Sequence, residues 1–121
     1  MKLTYLEADI LLHRLSVPDC IAEALADTYG FDVGTVADTA EAIERVVSSS
    51  PLLTAELLDL PHAVEVLIDA VDGSTYEAAA EGELEDGLMT LREFRRIGRA
   101  GRSLAEKIGR FVGRDVVFAG V

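Results

Sequence analysis

The side chains that most often carry out chemistry are few in this sequence and lie far apart. His13 and His62 are its two histidines, and they lack the His-x-x-x-His spacing that places two metal ligands on one helix face. The single cysteine, Cys20, excludes an internal disulfide and a cysteine-based metal cluster. Because Cys20 follows Asp19 near a predicted helix start, we expect a small buried residue rather than a reactive thiol. We predict no metal site and no cofactor.

Serine and glycine motifs supply no catalytic site either. The sequence contains no Gly-x-Ser-x-Gly nucleophile elbow. Residues 98–103 look like a phosphate-binding loop, but they lie inside a predicted helix whose backbone N–H groups are already hydrogen-bonded. The acids between Gly82 and Gly87 are expected in a solvated loop. The sequence therefore favours a non-enzymatic protein, and we assign no catalytic residue.

The strongest local pattern is a set of arginines in the C-terminal part of the chain. At about 100° per residue, the apolar residues of a helix over 91–112 fall on one side and the bases on the other. The candidate site residues on the basic side, predicted to bind an anion or a partner, are Arg92, Arg95, Arg96, Arg99, Arg102 and Arg110. Gly98 and Gly101 lie among the apolar positions, so another backbone could approach this helix closely.

Three interpretations of this basic side remain open. The arginines could face water or pair with acids of the same chain, which would contribute about 0–1 kcal/mol for each exposed pair. They could instead form a docking face for nucleic-acid phosphates or for an acidic partner protein. No aromatic residue lies among the bases to stack on a nucleobase, which counts against nucleic acid. A membrane-surface role is disfavoured because the apolar side is needed in the core.

Charge is distributed unevenly along the chain, which carries a formal net charge of -11. Residues 1–91 hold 19 acids against Lys2, Arg14 and Arg45, a net of -16, whereas residues 92–114 have a net of +6. We therefore expect first a protein-interaction or regulatory module with a strongly acidic surface, and as the alternative a nucleic-acid-binding protein that uses the arginines. Solvation in a high-salt cytoplasm would also explain the acids.

The elements that position these residues are predicted to be helical. Apolar spacing, capping residues and glycine stops indicate a mainly α fold, a compact bundle of about five or six helices. The best-defined helix is the last, where Thr90 and Glu93 form a capping box and Gly113 marks the end. Residues 115–119 read as a short β-strand. Its partner is either residues 1–4 or a second chain, which favours a homodimer.

The N-terminal half resembles a helix-turn-helix unit. Leu25-Ala26, Gly30, Phe31 and Val36 have its spacing, in which small residues let two helices cross and a glycine makes the turn. The would-be recognition helix carries Asp38, Glu41 and Glu44, which DNA phosphates would repel. The resemblance therefore implies a packing arrangement rather than DNA reading.

Length and hydropathy complete the expectations. With 121 residues, half of them apolar, we expect residues 1–121 to form a single domain with a packed core. No apolar run reaches the roughly 18 residues that cross a bilayer, and acids interrupt the first residues, so we expect a cytoplasmic protein without a membrane partner.

Overall fold

The computed structural model describes residues 1–118, and within them the chain forms six α-helices and one short 3-10 helix. The α-helices are α1 (Tyr5–Leu15), α2 (Pro18–Tyr29), α3 (Val33–Ser49), α4 (Ala63–Asp72), α5 (Tyr76–Glu85) and α6 (Leu91–Val112), and the 3-10 helix spans Ala55–Asp59. The prediction of a mainly helical bundle is confirmed.

Capping residues set the ends of the two helices that matter most for function. At the start of α1, the N–H of Glu7 donates to Thr4 Oγ1 and the N–H of Thr4 donates to Glu7 Oε1. Thr90 and Glu93 make the same reciprocal pair at the start of α6. Gly113 ends α6 with φ +73°, a left-handed conformation that glycine adopts without strain. Both ends of α6 therefore lie where the sequence predicts them.

Helix α1 lies inside the bundle and packs against α3, α4 and α6. These four helices contribute fully buried aliphatic side chains to the core: Ile10, Leu11, Leu15, Ile43, Val66, Leu67, Leu104 and Ile108. Each such side chain stabilises the fold by about 1.5–3 kcal/mol on leaving water. Since the apolar side of α6 is held in this core, its opposite side must face outwards.

The predicted terminal strand is not found in the part of the chain that the structure describes. Residues 115–118 form no β-strand, and Ala119 lies outside the described residues. After Gly113 the chain turns back along α6, and Phe118, 2% exposed, packs its ring over Gly101. Burial of this aromatic side chain, rather than strand pairing, therefore fixes the segment.

The N-terminal segment pairs with residues 51–53 and not with residues 115–118, so the predicted pairing of residues 1–4 with the terminal segment is not found in the described part of the chain. Lys2 and Leu52 form an isolated antiparallel bridge, and the N–H of Leu3 donates to Pro51 O at 2.8 Å. Pro51 therefore contributes its carbonyl oxygen to this pairing.

Three smaller expectations concern the rest of the bundle. Helix α5 continues past Gly82 to Glu85, so four of the six residues from Gly82 to Gly87, expected in a loop, are helical. Cys20 is exposed, and the expectation of a buried thiol is wrong. Helices α2 and α3 pack together across Gly30, which has φ +73°. The helix-turn-helix interpretation of this pair remains a prediction.

Candidate anion-binding face

Helix α6 separates its side chains sharply into a buried and an exposed side. Ile97, Leu104 and Ile108 lie in the core, and the backbone at Gly98 and Gly101 is also buried. All six predicted site residues are exposed: Arg92, Arg95, Arg96, Arg99, Arg102 and Arg110. We call this set the arginine face. The fold thus presents it to solvent and does not bury it against the acidic part of the chain.

Few of these arginines are neutralised by carboxylates of the same chain. Arg110 Nη2 lies 3.9 Å from Glu106 Oε1, in a pair whose two side chains are both about 70% exposed. Among residues 1–118, the five arginines from Arg92 to Arg102 make no ion pair within 4 Å. An exposed pair contributes about 0–1 kcal/mol, so these arginines are not needed to hold the fold together.

Lys107 lies on the same helix but has a different role from the arginines. Its Nζ donates to Glu7 Oε1 at 2.6 Å, and the Glu7 side chain is 2% exposed. Burial alone would raise the pKa of Glu7, but hydrogen bonds from Lys107 and Thr4 lower it below its usual value. The carboxylate therefore stays charged and ties α1 to α6.

This tie places an aromatic side chain beside the arginine face. Tyr5, in the first turn of α1, is 82% exposed. A groove of about 450 Å³ runs between α1 and α6, lined by Tyr5, Arg96 and Arg99 together with Thr4, Leu6, Glu7, Ala100 and Ser103. A second groove of about 470 Å³ lies on the Lys2 side of the same tyrosine, lined by Lys2, Leu3, Thr4, Pro51 and Lys107. The sequence pattern missed Tyr5 because it lies about ninety positions from the arginines.

The opposite end of the arginine face borders another groove. The returning segment after Gly113 and the last turns of α6 enclose about 650 Å³ of open space. Arg102, Arg110 and Arg114 line it, together with Glu106 and Asp115. Because two carboxylates share this groove, its charge is less one-sided than that of the groove beside Tyr5.

Most of the acidic side chains of residues 1–91 are also exposed. Of these 19 acids, fourteen are exposed: Asp9, Asp19, Glu23, Asp27, Asp32, Asp38, Glu41, Glu56, Asp59, Asp72, Glu81, Glu83, Glu85 and Asp86. Arg14 is drawn into a partly buried pair with Asp69, at 3.1 Å, so Lys2 and Arg45 are the exposed bases among residues 1–91. Most acids of residues 1–91 are thus exposed, and the six arginines of the arginine face are exposed on one helix.

One acid at the edge of the arginine face has a buried oxygen without a hydrogen-bonding partner among residues 1–118. This atom is Glu77 Oε2 on α5. Burial raises the pKa of Glu77, the charge of Arg102 lowers it, and that of Glu81 raises it, with a net upward shift. Glu77 is therefore held in an environment that disfavours its charged form.

The histidines occupy structural positions on separate elements. His13 Nε2 lies 3.1 Å from Thr75 Oγ1, and its ring meets Tyr76 edge-on. His62 precedes α4 with φ +57° and stacks on Phe31 at 3.8 Å between ring centroids. In the described part of the chain, no three His, Cys, Asp or Glu side chains are grouped closely enough to hold a metal ion.

Comparisons with known proteins give a partial resemblance. The chain is 28% identical over 102 residues to the ATP synthase subunit alpha of Mycobacterium leprae strain Br4923, covering 84% of this chain and 18% of that protein. It is 30% identical over 116 residues to the ATP synthase subunit alpha of Mycolicibacterium smegmatis, and this match covers 95% of this chain and 20% of that protein. The chain thus spans about a fifth of the length of the curated relatives it matches. No protein-family model and no solved structure matches the chain.

Among residues 1–118, none of the helices combines the length and the apolar character that crossing a bilayer requires.

Proposed function

We propose that this protein is a non-enzymatic docking module that binds an anionic partner macromolecule through the arginine face of α6. The observation that carries the proposal is the exposure of six arginines on one side of a helix whose other side is buried. From Arg92 to Arg102, five arginines fall within eleven residues, which span about 15 Å along the helix axis.

The chemistry of arginine suits this role. A guanidinium group has five donors in a planar fork, which matches the oxygens of a carboxylate or a phosphate in a bidentate contact. Because the five arginines from Arg92 to Arg102 make no ion pair within residues 1–118, a ligand would not have to displace an internal partner. The net charge of -11 opposes an anion at long range, but a Debye length of about 8 Å confines that repulsion at physiological salt.

Two classes of macromolecule present such anions: an acidic protein surface and a nucleic acid. The matched relatives are named as subunits of an ATP synthase, which are chains that work in contact with other chains. That name supports a role in association. Since the match spans a fifth of those proteins, we take nothing from it about catalysis.

Retention on immobilised heparin, a polyanion, tests the proposal. We compare Arg99→Glu with Arg45→Glu, because both arginines are exposed and helical and each reversal changes the net charge by the same amount. We expect the wild type to bind at low salt, Arg99→Glu to elute at clearly lower salt, and Arg45→Glu to elute with the wild type. Equal effects of the two reversals, or no retention of the wild type, would reject the arginine face as the binding surface.

A second candidate function uses the acidic surface to bind a cationic protein and so to regulate it. The observation in its favour is the exposure of fourteen acids among residues 1–91 with two exposed bases. Titration with poly-lysine tests it, using neutralised acids on α3 (Asp38 and Glu41) and on α5 (Glu81 and Glu83). A defined docking surface predicts that one of the two changes weakens binding several-fold more than the other, whereas equal effects indicate nonspecific attraction.

A further inference from the structure

We infer that the groove between α1 and α6 is a binding site for single-stranded nucleic acid, in which Tyr5 stacks on a base and Arg96 and Arg99 hold the adjoining phosphates. The inference rests on the proposed function, since it uses part of the arginine face, and it names the class of partner. It also removes the objection, drawn from the sequence, that no aromatic residue accompanies the bases.

Tyr5 has the properties of a stacking platform. Its side chain is 82% exposed, so most of its surface is accessible to a ligand. Within the described residues, Tyr5 makes no ring–ring contact, whereas Tyr29 stacks on Phe31 at 4.9 Å and Tyr76 meets His13. The face of its ring is therefore available to a ligand.

The backbone beneath Tyr5 is held firmly, which lowers the entropy lost on binding. Thr4 and Glu7 cap α1 through two mutual hydrogen bonds of 3.1 and 2.7 Å. Lys107 bonds to the same Glu7 carboxylate and also donates to Lys2 O at 3.4 Å. Both sides of Tyr5 are thus anchored to α6, the helix that carries the arginines.

Cations flank the tyrosine on both sides. Arg96 and Arg99 line the groove on the α6 side, and Lys2 lines the groove on the other. The carboxylate in the first groove, Glu7, is buried and already bonded to Lys107, so it does not oppose a phosphate as an exposed acid would. An aromatic platform between cations is the arrangement by which proteins bind single strands without sequence preference.

A single strand fits these observations better than the other anions. In a duplex the bases are stacked on one another, so none is free to lie on Tyr5. A mononucleotide would use one cation, whereas Arg92, Arg95 and Arg102 extend the positive charge along about 15 Å of α6. An acidic peptide would pair with the arginines but would gain nothing from the exposed phenol ring.

Fluorescence anisotropy of a labelled twelve-residue oligothymidylate measures the binding directly. Base–aromatic stacking lost by Tyr5→Ala should weaken binding about tenfold or more, and Tyr5→Phe, which keeps the ring, should restore it to within about twofold. Tyr29→Ala removes another exposed tyrosine and serves as the matched control, which we expect to bind as the wild type does. Arg99→Glu should weaken binding through the phosphates. Far-ultraviolet circular dichroism checks that every variant is folded.

The outcomes separate this inference from the proposed function. Tyr5→Ala should leave heparin retention unchanged, because heparin carries no base. If Tyr5→Ala and the wild type bind the oligothymidylate equally while Arg99→Glu binds it weakly, the inference is rejected and the proposed function stands. Tighter binding of poly-glutamate, of duplex DNA or of thymidine monophosphate than of the oligonucleotide would also reject it. Failure of both heparin and oligonucleotide to bind would reject both proposals.

Discussion

Lys107 Nζ lies 2.6 Å from Glu7 Oε1, and this contact joins the last helix of the bundle to the first. The Glu7 side chain is 2% exposed and that of Lys107 25%, so the pair is largely shielded from water. Because Glu7 also caps α1, one carboxylate both begins that helix and fixes its distance from α6. The position of Tyr5 next to Arg96 and Arg99 depends on this pair.

We expect Lys107→Met to destabilise the protein by about 3 kcal/mol. The change leaves the buried Glu7 carboxylate without its cation, and removing one partner of a buried pair costs about 3–5 kcal/mol, with the lower value suited to a lysine that is partly exposed. Urea denaturation followed by circular dichroism measures the free energy of unfolding.

The control for this prediction is Arg110→Met on the same helix. Arg110 and Glu106 form a pair in which both side chains are about 70% exposed, so we expect a loss of no more than about 0.5 kcal/mol. Equal losses in the two variants would show that the Glu7–Lys107 pair has no special role in joining α1 to α6.

We expect Gly101→Ala to destabilise the fold and Gly98→Ala to stabilise it. A Cβ at Gly101 would overlap the ring of Phe118, whereas at Gly98 its nearest neighbour is Arg102 Nη1 at 3.5 Å. Alanine is favoured over glycine in a helix by about 1 kcal/mol. At Gly101 we expect overpacking to outweigh this gain, with a net loss of about 1–2 kcal/mol.

Thermal melting of the two glycine variants gives the sign of each effect. Opposite shifts in Tm confirm that the segment after Gly113 packs on α6 through Phe118. A rise in Tm for both variants would show that Phe118 does not occupy the position over Gly101.

We expect Glu77→Gln to raise stability at pH 7 and to have less effect in acid. Burial raises the pKa of Glu77, with Arg102 opposing and Glu81 adding to the shift, so the folded protein binds this proton more tightly than the unfolded chain does. Above the raised pKa the charged carboxylate therefore destabilises the fold. This penalty falls as the pH decreases and is gone below the ordinary pKa of about 4.5.

Melting curves of wild type and Glu77→Gln between pH 7 and pH 4 test the sign. The difference in Tm should be largest at pH 7 and should shrink as the pH falls. A variant that is less stable than the wild type at pH 7 would show that Glu77 has a stabilising partner.

The homodimer remains a prediction, but the contact through which we expect two copies to associate changes. Pairing through a terminal strand is not supported, because residues 115–118 form none. The arginine face and the acidic surface are complementary, however, and two copies could associate through them. We expect sedimentation equilibrium to show twice the 13.0 kDa chain mass at low salt and the monomer at about 0.5 M salt. A dimer that is indifferent to salt, or a monomer throughout, would contradict this basis.

Much of the local structure could be predicted from the sequence because local interactions determine it. The capping box of Thr90 and Glu93 and the glycine stop at Gly113 involve residues close together in the chain, and both ends of α6 are as expected. The placement of the arginines on one side of α6 followed from the helical period, but the sequence left open whether they would face water or pair with acids of the same chain.

The contacts between distant segments could not be predicted in the same way. Nothing near Tyr5 in the sequence indicates that its first turn will lie beside Arg96 and Arg99, because that depends on how α1 crosses α6. In the sequence, Phe118 comes directly after two valines, a pattern that favours a β-strand. Burial of its ring against Gly101 outweighs this local preference. The basic side of the candidate site was thus predictable, and its aromatic component was not.

The salt dependence of oligothymidylate binding tests the central claim most directly. Each phosphate neutralised on a single strand contributes about 0.7 to the slope of log K against log salt concentration. If the exposed arginines of α6 hold the phosphates, Arg99→Gln should make this slope shallower by about 0.7, and Arg45→Gln should leave it as in the wild type. The same slope for Arg99→Gln and the wild type would contradict the account.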